Sequence, residues 1–166
     1  MRSRSGVADV PALFSVLSMW TITARDSSPT AVHFEVIGVP MIAEVRERAR
    51  QRLLTPDGQE LQLQLPRGSI LQPGDVLLSA SGEAVARVLA QDEPVYTIRS
   101  IHPLTLLRAA YHLGNRHVAM EITQEYLRIK PDHVLLHLIE HLGGLWVVEE
   151  QSPFLPDPGA YVHHHG

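Results

Sequence analysis

The sequence has no cysteine and no run of 18 or more apolar residues. The first absence excludes disulfide bonds, zinc and iron–sulfur sites held by thiolates, and a cysteine nucleophile. Because of the second, we expect no membrane-spanning helix and no membrane partner. An excess of positive charge is also missing, since 14 Lys and Arg stand against 18 Asp and Glu. That balance and the lack of an aromatic RNA-binding motif argue against a nucleic-acid partner.

The familiar catalytic motifs are missing as well. The chain has no G-x-S-x-G, no H-E-x-x-H and no glycine-rich phosphate loop. No candidate general base stands at a recognisable spacing from the histidines, so a metallohydrolase is disfavoured. We therefore expect a protein that is not an enzyme.

Histidine is the residue that the chain has in abundance. Of ten histidines, nine lie at or after residue 102. Without cysteine, any metal chemistry must use imidazole and carboxylate ligands, which suit Ni(II), Cu(II) and Zn(II). The remaining composition, 166 residues with 45% hydrophobic and 19% charged, is that of a globular chain with one or two small domains.

The first 18 residues predict a loosely attached N-terminal extension. Arg2 and Arg4 precede a mildly apolar run, which resembles a weak signal peptide. Asp9 and Pro11 interrupt that run, and no clear cleavage site follows it. We therefore expect a cytoplasmic protein.

Residues 19–92 predict a small all-β domain, because short β-prone runs alternate with turns. Leu61, Leu63 and Leu65 alternate with polar residues and predict a half-buried strand. The turn before it, at residues 56–58, predicts a hairpin whose first strand covers residues 46–55. In that strand four arginines would share one face, either as a solvated surface or as a patch for an acidic partner: Arg46, Arg48, Arg50 and Arg52.

Residues 93–150 predict a β-α-β-β-α-β unit, the order of a ferredoxin-like domain. One helix begins at Pro103 and ends at Gly114-Asn115, a strong helix stop. Asp132 is a suitable N-cap for a second helix, which ends at Gly143. Residues 151–166 predict a flexible C-terminal tail that contains histidines. The predicted fold class is therefore α+β, with an all-β domain before a ferredoxin-like one.

Three groups of histidines are candidate metal ligands. His117 follows the helix stop; one imidazole is not a site, but a two-fold axis through a dimer would supply two. His133, His137 and His141 recur every four residues, so they share one helix face, as a metal site or simply a solvated surface. The third group, at the tail, is a metal-binding composition or the remnant of a tag, and we favour a native run: His163, His164 and His165.

The surroundings of His117 resemble the signature of the urease accessory protein UreE family, the nickel metallochaperones of urease maturation. The similarity extends over roughly residues 40–165, and its motifs are Tyr111-His112-Leu113-Gly114-Asn115-Arg116-His117-Val118, Tyr126-Leu127-Arg128, Asp132-His133-Val134-Leu135, Pro153-Phe154, Gly159-Ala160-Tyr161, Leu65-Pro66-Arg67-Gly68 and Gly74-Asp75-Val76-Leu77. The Gly114–His117 motif is the specific one in this setting.

The resemblance implies a homodimer joined through the second domain, in which His117 of each protomer binds one Ni(II) and tail histidines complete the coordination. It also implies that the first domain makes protein contacts, and that the partners are the urease accessory GTPase UreG and the urease activation complex. Some members carry an extra histidine where this chain has Pro131, which leaves a site at His133 in doubt, although His137 could replace it. Three tail histidines favour transfer over bulk storage. The alternative is a general copper- or zinc-binding or storage protein.

Overall fold

The computed structural model describes residues 19–28 and 36–158. The predicted extension at residues 1–18 and the histidines at 163–165 lie outside these ranges. The described residues form a mixed α+β protein that is mostly sheet, with two sheets and few helices. The elements are β1 (Trp20–Asp26), β2 (Ile37–Met41), α1 (Ala43–Arg46), β3 (Arg50–Leu54), β4 (Glu60–Gln64), β5 (Val76–Ser79), β6 (Ala84–Ala90), β7 (Asp92–Arg99), α2 (Pro103–Gly114), β8 (Met120–Ile122), β9 (Leu127–Ile129), α3 (His133–Leu142) and β10 (Trp146–Pro153).

The first sheet has the order β2-β6-β5-β1-β4-β3. Its core contains the alternating leucines of β4, because side chains of a strand point to opposite faces in turn. Leu61 and Leu63 are fully buried, while Glu60 and Gln64 are exposed. The predicted alternation in this strand is therefore confirmed.

The predicted strand over residues 46–55 is wrong at its start. Residues 43–46 form the short helix α1, and β3 begins only at Arg50. Arg46 is buried and donates a hydrogen bond to the carbonyl oxygen of Phe154, whereas Arg48 pairs with Glu44 one helical turn away. The four arginines therefore do not share a face, and of the predicted basic patch β3 presents only Arg50 and Arg52 to solvent together.

The second sheet has the order β10-β7-β9-β8, and its strands pair antiparallel. Helices α2 and α3 pack on one face of it, around a core that includes Ile98, Leu113 and Ile139. Asp132 caps α3 as predicted, because its carboxylate accepts hydrogen bonds from the backbone amides of Val134 and Leu135 at 2.8 and 3.0 Å. Those amides have no partner within the helix, so the cap fixes where α3 begins.

Strand β10 extends to Pro153, beyond the expected start of the tail at residue 151. Phe154 follows it and is only 2% exposed, packed with Ala43 and Val95 at the junction of the two domains. Burial of this one aromatic side chain holds the chain against the protein past the predicted boundary. No helix in the described ranges is both long and apolar enough to cross a membrane.

Candidate metal centre

His117 lies just past the C-terminal end of α2, in a backbone conformation that is unusual for its residue type. Its φ is +56°, in the left-handed region that L-residues other than glycine rarely adopt. The amide of His117 donates to the carbonyl of Gly114 at 2.9 Å, and the amide of Val118 donates to that of Leu113 at 3.4 Å. This pair of hydrogen bonds is the Schellman arrangement that ends many helices. His117 therefore occupies the position at which such motifs favour glycine.

The helix ends at Gly114 as predicted, but Gly114 is not the residue that turns the chain. Gly114 is still helical, and the turn continues through Asn115 and Arg116 before the left-handed residue comes. A side chain in this conformation costs about 1 kcal/mol or more. Sequence reasoning missed this feature, because a histidine gives no local signal for a positive φ.

The imidazole of His117 is exposed at the carbonyl end of α2. Partial negative charge gathers at the C-terminal end of a helix, which favours a cation there. His112, on the last turn, lies edge-on to Tyr111 with their ring centroids 5.4 Å apart. Within residues 19–28 and 36–158, no group of three or more His, Asp or Glu side chains is placed to hold a metal ion. The described part of one copy therefore does not form a three-ligand site around His117.

Helix α2 has two apolar stripes, and one of them faces solvent. Leu104, Leu107 and Tyr111 follow one another at three- and four-residue spacing and are 58%, 66% and 66% exposed. The core instead receives Leu106, Ala109 and Leu113 from the opposite side. Periodicity alone does not show which stripe faces the core, because both faces of the helix are apolar.

The exposed stripe continues into a groove between α2 and β8. Its lining includes Pro103, Leu107, Ala110 and Ile122. Ile122 is itself half exposed. A contiguous apolar surface of this kind marks a site of association in soluble proteins. It belongs to the same helix that presents His117.

The histidines of α3 share an exposed face, as their spacing predicts. His133 begins the helix, while His137 and His141 have ring centroids 6.3 Å apart. The nitrogen Nδ1 of His137 is 3.6 Å from a carboxylate oxygen of Glu140. The predicted metal site at His133 and His137 stays a prediction.

The chain after β10 crosses to the far edge of the second sheet. The amide of Asp157 donates to the carbonyl of Met120 at 2.9 Å, and the Asp157 carboxylate accepts from the amide of Ile122 at 2.8 Å. The amide of Leu155 donates to Glu121 at 3.0 Å. Residues 155–157 are thus fastened by hydrogen bonds along β8, and β8 begins three residues after His117. The tail histidines His163, His164 and His165 lie outside the described residues.

A buried polar group on the other face of the sheet was not predicted. Arg128 donates to Thr97 at 3.0 Å and to the carbonyl of Pro153 at 3.1 Å. Thr97 also donates to Glu150 at 2.6 Å, and this bond is the main reason that the pKa of Glu150 is lowered. Tyr126 donates to Glu121 at 2.8 Å, which raises the pKa of the phenol. These contacts hold the end of β10, from which the fastened segment leads, against the sheet.

Comparison with known proteins assigns both halves of the chain. A family model described as the N-terminal domain of UreE urease accessory protein matches residues 33–90, and one described as its C-terminal domain matches residues 93–166. The urease accessory protein UreE of Nostoc sp. is 50% identical over 125 residues, 75% of this chain and 84% of the relative. That of Microcystis aeruginosa is 48% identical over 143 residues, 86% of this chain and 87% of the relative. That of Thermosynechococcus vestitus is 41% identical over 146 residues, 88% of this chain and all of the relative. The resemblance found in the sequence is confirmed, and this chain belongs to the UreE family of urease accessory proteins.

Proposed function

We propose that this protein is a nickel metallochaperone that binds Ni(II) at a homodimer interface and delivers it for assembly of the urease active site. The observation that carries this proposal is His117: an exposed imidazole, held in a strained backbone position at the end of α2, beside an exposed apolar stripe. Strained positions of this kind occur where function requires a side chain at a fixed place. The family to which the chain belongs supports the link to urease.

The apolar stripe of α2 supports a second copy of this chain as its occupant. One imidazole cannot hold Ni(II), which prefers square-planar or octahedral shells of nitrogen and oxygen. Packing two stripes across a two-fold axis would bury Leu104, Leu107 and Tyr111 of both copies and double each ligand near the axis. His117 follows Tyr111 by six residues on the same helix end, so the same contact would bring two imidazoles together.

The tail supports the completion of the coordination shell by His163, His164 and His165. Residue 157 is fastened to Met120, which lies three residues from His117. His163 comes five positions after Pro158, and an extended chain of that length spans at most about 18 Å. Ligands from a tail can join and leave without moving the fold. A metal held by two fixed and several removable imidazoles could therefore be passed to an acceptor.

The remaining parts of the proposal follow the family. We assign the protein to the cytoplasm and give it no catalytic activity of its own. Its partners are the GTPase UreG and the urease activation complex, with the first domain as a contact surface. We also describe the second domain as ferredoxin-like, which its β-α-β-β-α-β order and the β10-β7-β9-β8 sheet support.

The test is a titration with Ni(II), followed by calorimetry and by light scattering for mass. We expect one tightly bound Ni(II) per dimer in the wild type, loss of this site in His117→Ala, and weaker binding in a chain that ends at Val162. His102→Ala is the matched control, because this histidine is exposed at the start of α2 and its side chain makes no capping bond. Unchanged affinity and stoichiometry in His117→Ala would refute the proposal.

A second variant tests the interface separately from the metal ligand. Leu107→Glu places a charge in the stripe and should convert the dimer to a monomer, with loss of the shared site. Leu54→Glu is the control, because Leu54 is as exposed on β3 as Leu107 is on α2. A dimer that survives Leu107→Glu would exclude the stripe as the interface. Competition with Cu(II) and Zn(II) then distinguishes a nickel carrier from a general metal-binding or storage protein, although Cu(II) outbinds Ni(II) at most nitrogen sites.

A further inference from the structure

We propose that His137 and His141 form a second, independent chelating site for a divalent cation on the exposed face of α3. Both side chains are exposed, and His137 is 75% so. Residues four apart on a helix lie one above the other. Their ring centroids are 6.3 Å apart, and the ring planes are inclined at 51°. The site requires neither His117 nor the tail.

The Nε2 atoms would bind the metal, because the Nδ1 atom of each ring faces a carbonyl or carboxylate oxygen instead. The Nδ1 atom of His141 lies 2.7 Å from the carbonyl oxygen of His137, which can only accept, so Nδ1 carries the hydrogen. In the neutral imidazole of this tautomer, Nε2 of His141 carries the lone pair that can bind a metal ion. The Nδ1 atom of His137 faces the Glu140 carboxylate at 3.6 Å, which favours the same tautomer. Metal-binding histidines usually show this pattern, in which a carbonyl or carboxylate orients the ring from its far side.

The distance between the rings fits a shared ion after a small side-chain rotation. A metal–nitrogen bond of about 2.1 Å places the ion about 3.2 Å from each ring centroid. Two rings on one ion then lie roughly 4.5 Å apart for a right angle at the metal and roughly 5.2 Å for a tetrahedral one. The separation of 6.3 Å must therefore shorten by about 1–2 Å. Exposed side chains allow this without moving the helix.

Charge favours this pair over the pair formed by His133 and His137. His141 lies in the last turn of α3, where the carbonyl end of the helix attracts a cation, and Glu140 adds a carboxylate beside it. His133 is the first residue of α3, where the helix dipole opposes a cation, and the Asp132 carboxylate beside it already caps the helix amides. In the part of the chain that the structure describes, no hydrogen bond or ring contact orients the His133 side chain.

The chemistry of the pair indicates the class of cation. Neutral imidazoles suit Ni(II), Cu(II) and Zn(II) rather than Mg²⁺ or Ca²⁺, which prefer oxygen. Two nitrogen ligands leave the other positions to water, since no third ligand completes a site among residues 19–28 and 36–158. Such a chelate binds and exchanges its ion readily. It would hold metal at the surface and apart from His117.

The experiment uses the full chain with His117 and the three tail histidines replaced by alanine, titrated with Ni²⁺ alone. Calorimetry gives affinity, and ¹⁵N spectra of the imidazoles show which nitrogen binds. We expect one Ni²⁺ per chain, with the Nε2 signals of residues 137 and 141 shifted and Nδ1 protonated. His137→Ala and His141→Ala should each weaken binding at least about tenfold, because a chelate needs both ligands. The double variant should bind Ni²⁺ about as weakly as either single variant, because each single change already breaks the chelate.

Two controls keep the result specific to this pair. His102→Ala should leave binding unchanged, and His133→Ala should change it by less than about twofold. All of these side chains are exposed, so circular dichroism should report unchanged folding. Absence of Ni²⁺ binding in the background chain would overturn the proposal, as would a loss in His133→Ala equal to that in His141→Ala. Neither result would bear on His117, which this background lacks.

Discussion

The backbone at His117 predicts that glycine is more stabilising than alanine at this position, the reverse of their order inside a helix. His117→Ala and His117→Gly both remove the imidazole, so neither retains the ligand proposed at this position. Their difference reports only on the backbone, whose φ of +56° glycine adopts freely. The pair therefore separates the strain of the position from the chemistry of the side chain.

The magnitude follows from two opposing terms. An L-residue in the left-handed region costs roughly 1–2 kcal/mol, which His117→Ala retains and His117→Gly relieves. Glycine also increases the conformational entropy of the unfolded chain, which lowers the free energy of unfolding by roughly 0.5–1 kcal/mol. We expect the glycine variant to be more stable than the alanine variant by about 0.5–1 kcal/mol. At Arg116, whose φ is not positive, glycine should instead be less stable than alanine by about 0.5–1 kcal/mol.

Urea denaturation in the presence of EDTA, at one protein concentration, measures all four variants without the contribution of metal. The midpoints should differ in opposite directions at residues 116 and 117, with slopes that stay equal. Nickel titration of the same samples should show no tight site in either His117 variant, although His117→Gly is the better folded. If glycine is no more stable than alanine at residue 117, the left-handed backbone does not carry the strain assigned to it.

Three further predictions concern the supports of the site. Asp132→Ala should lower the free energy of unfolding by about 1 kcal/mol, while Asp132→Ser keeps most of it, as measured by urea denaturation. Hydrogen bonds from the amide of Leu135 and then that of Val134 lower the pKa of Asp132. The charged cap therefore stabilises the fold fully above the unfolded-state pKa of about 3.9, and this contribution is lost as pH falls through the lower folded-state pKa. The stability of the wild type should approach that of Asp132→Asn below that pH, and a difference that stays constant with pH would contradict this. Phe154→Ala should cost about 3–4 kcal/mol, whereas the exposed Leu155→Ala should cost less than about 1 kcal/mol; equal small losses would mean that residue 154 belongs to a loose tail after all.

The features that the sequence predicted well are those with local causes. The cap at Asp132 needs only the amides two and three residues ahead, and the alternation of Leu61 and Leu63 needs only the two-residue period of a strand. Such signals depend on neighbours in the chain. They therefore survive without knowledge of the tertiary structure.

The segment around Arg46 was predicted wrongly because its cause is distant. Its guanidinium donates to the carbonyl of Phe154, 108 residues further along the chain, and burial lowers its pKa. Glu and Arg, which dominate residues 44–52, are good helix formers, and residues 43–46 do form a helix, whereas the downstream turn at residues 56–58 favoured a strand. That turn fixes a partner for β4 only from Arg50 onward. A hairpin turn predicts that two strands pair but not how many residues of each strand are paired.

At the candidate site, too, the sequence identified the family and the residue but not the conformation of that residue. The motif around residue 117 gave the family, and the comparisons confirm it. It did not give the left-handed backbone of His117 or the outward direction of the α2 stripe, since both depend on how Leu113 and Val118 pack. The amides of His117 and Val118, which flank the Cα of His117, both donate hydrogen bonds to the end of α2. These bonds fix the backbone position from which the imidazole extends. In the proposed carrier, such a ligand lowers the entropic cost of binding, while the second copy and the tail set how tightly the metal is held. A glycine at this turn would make a more stable helix end and would leave the proposed dimer without the imidazole at residue 117.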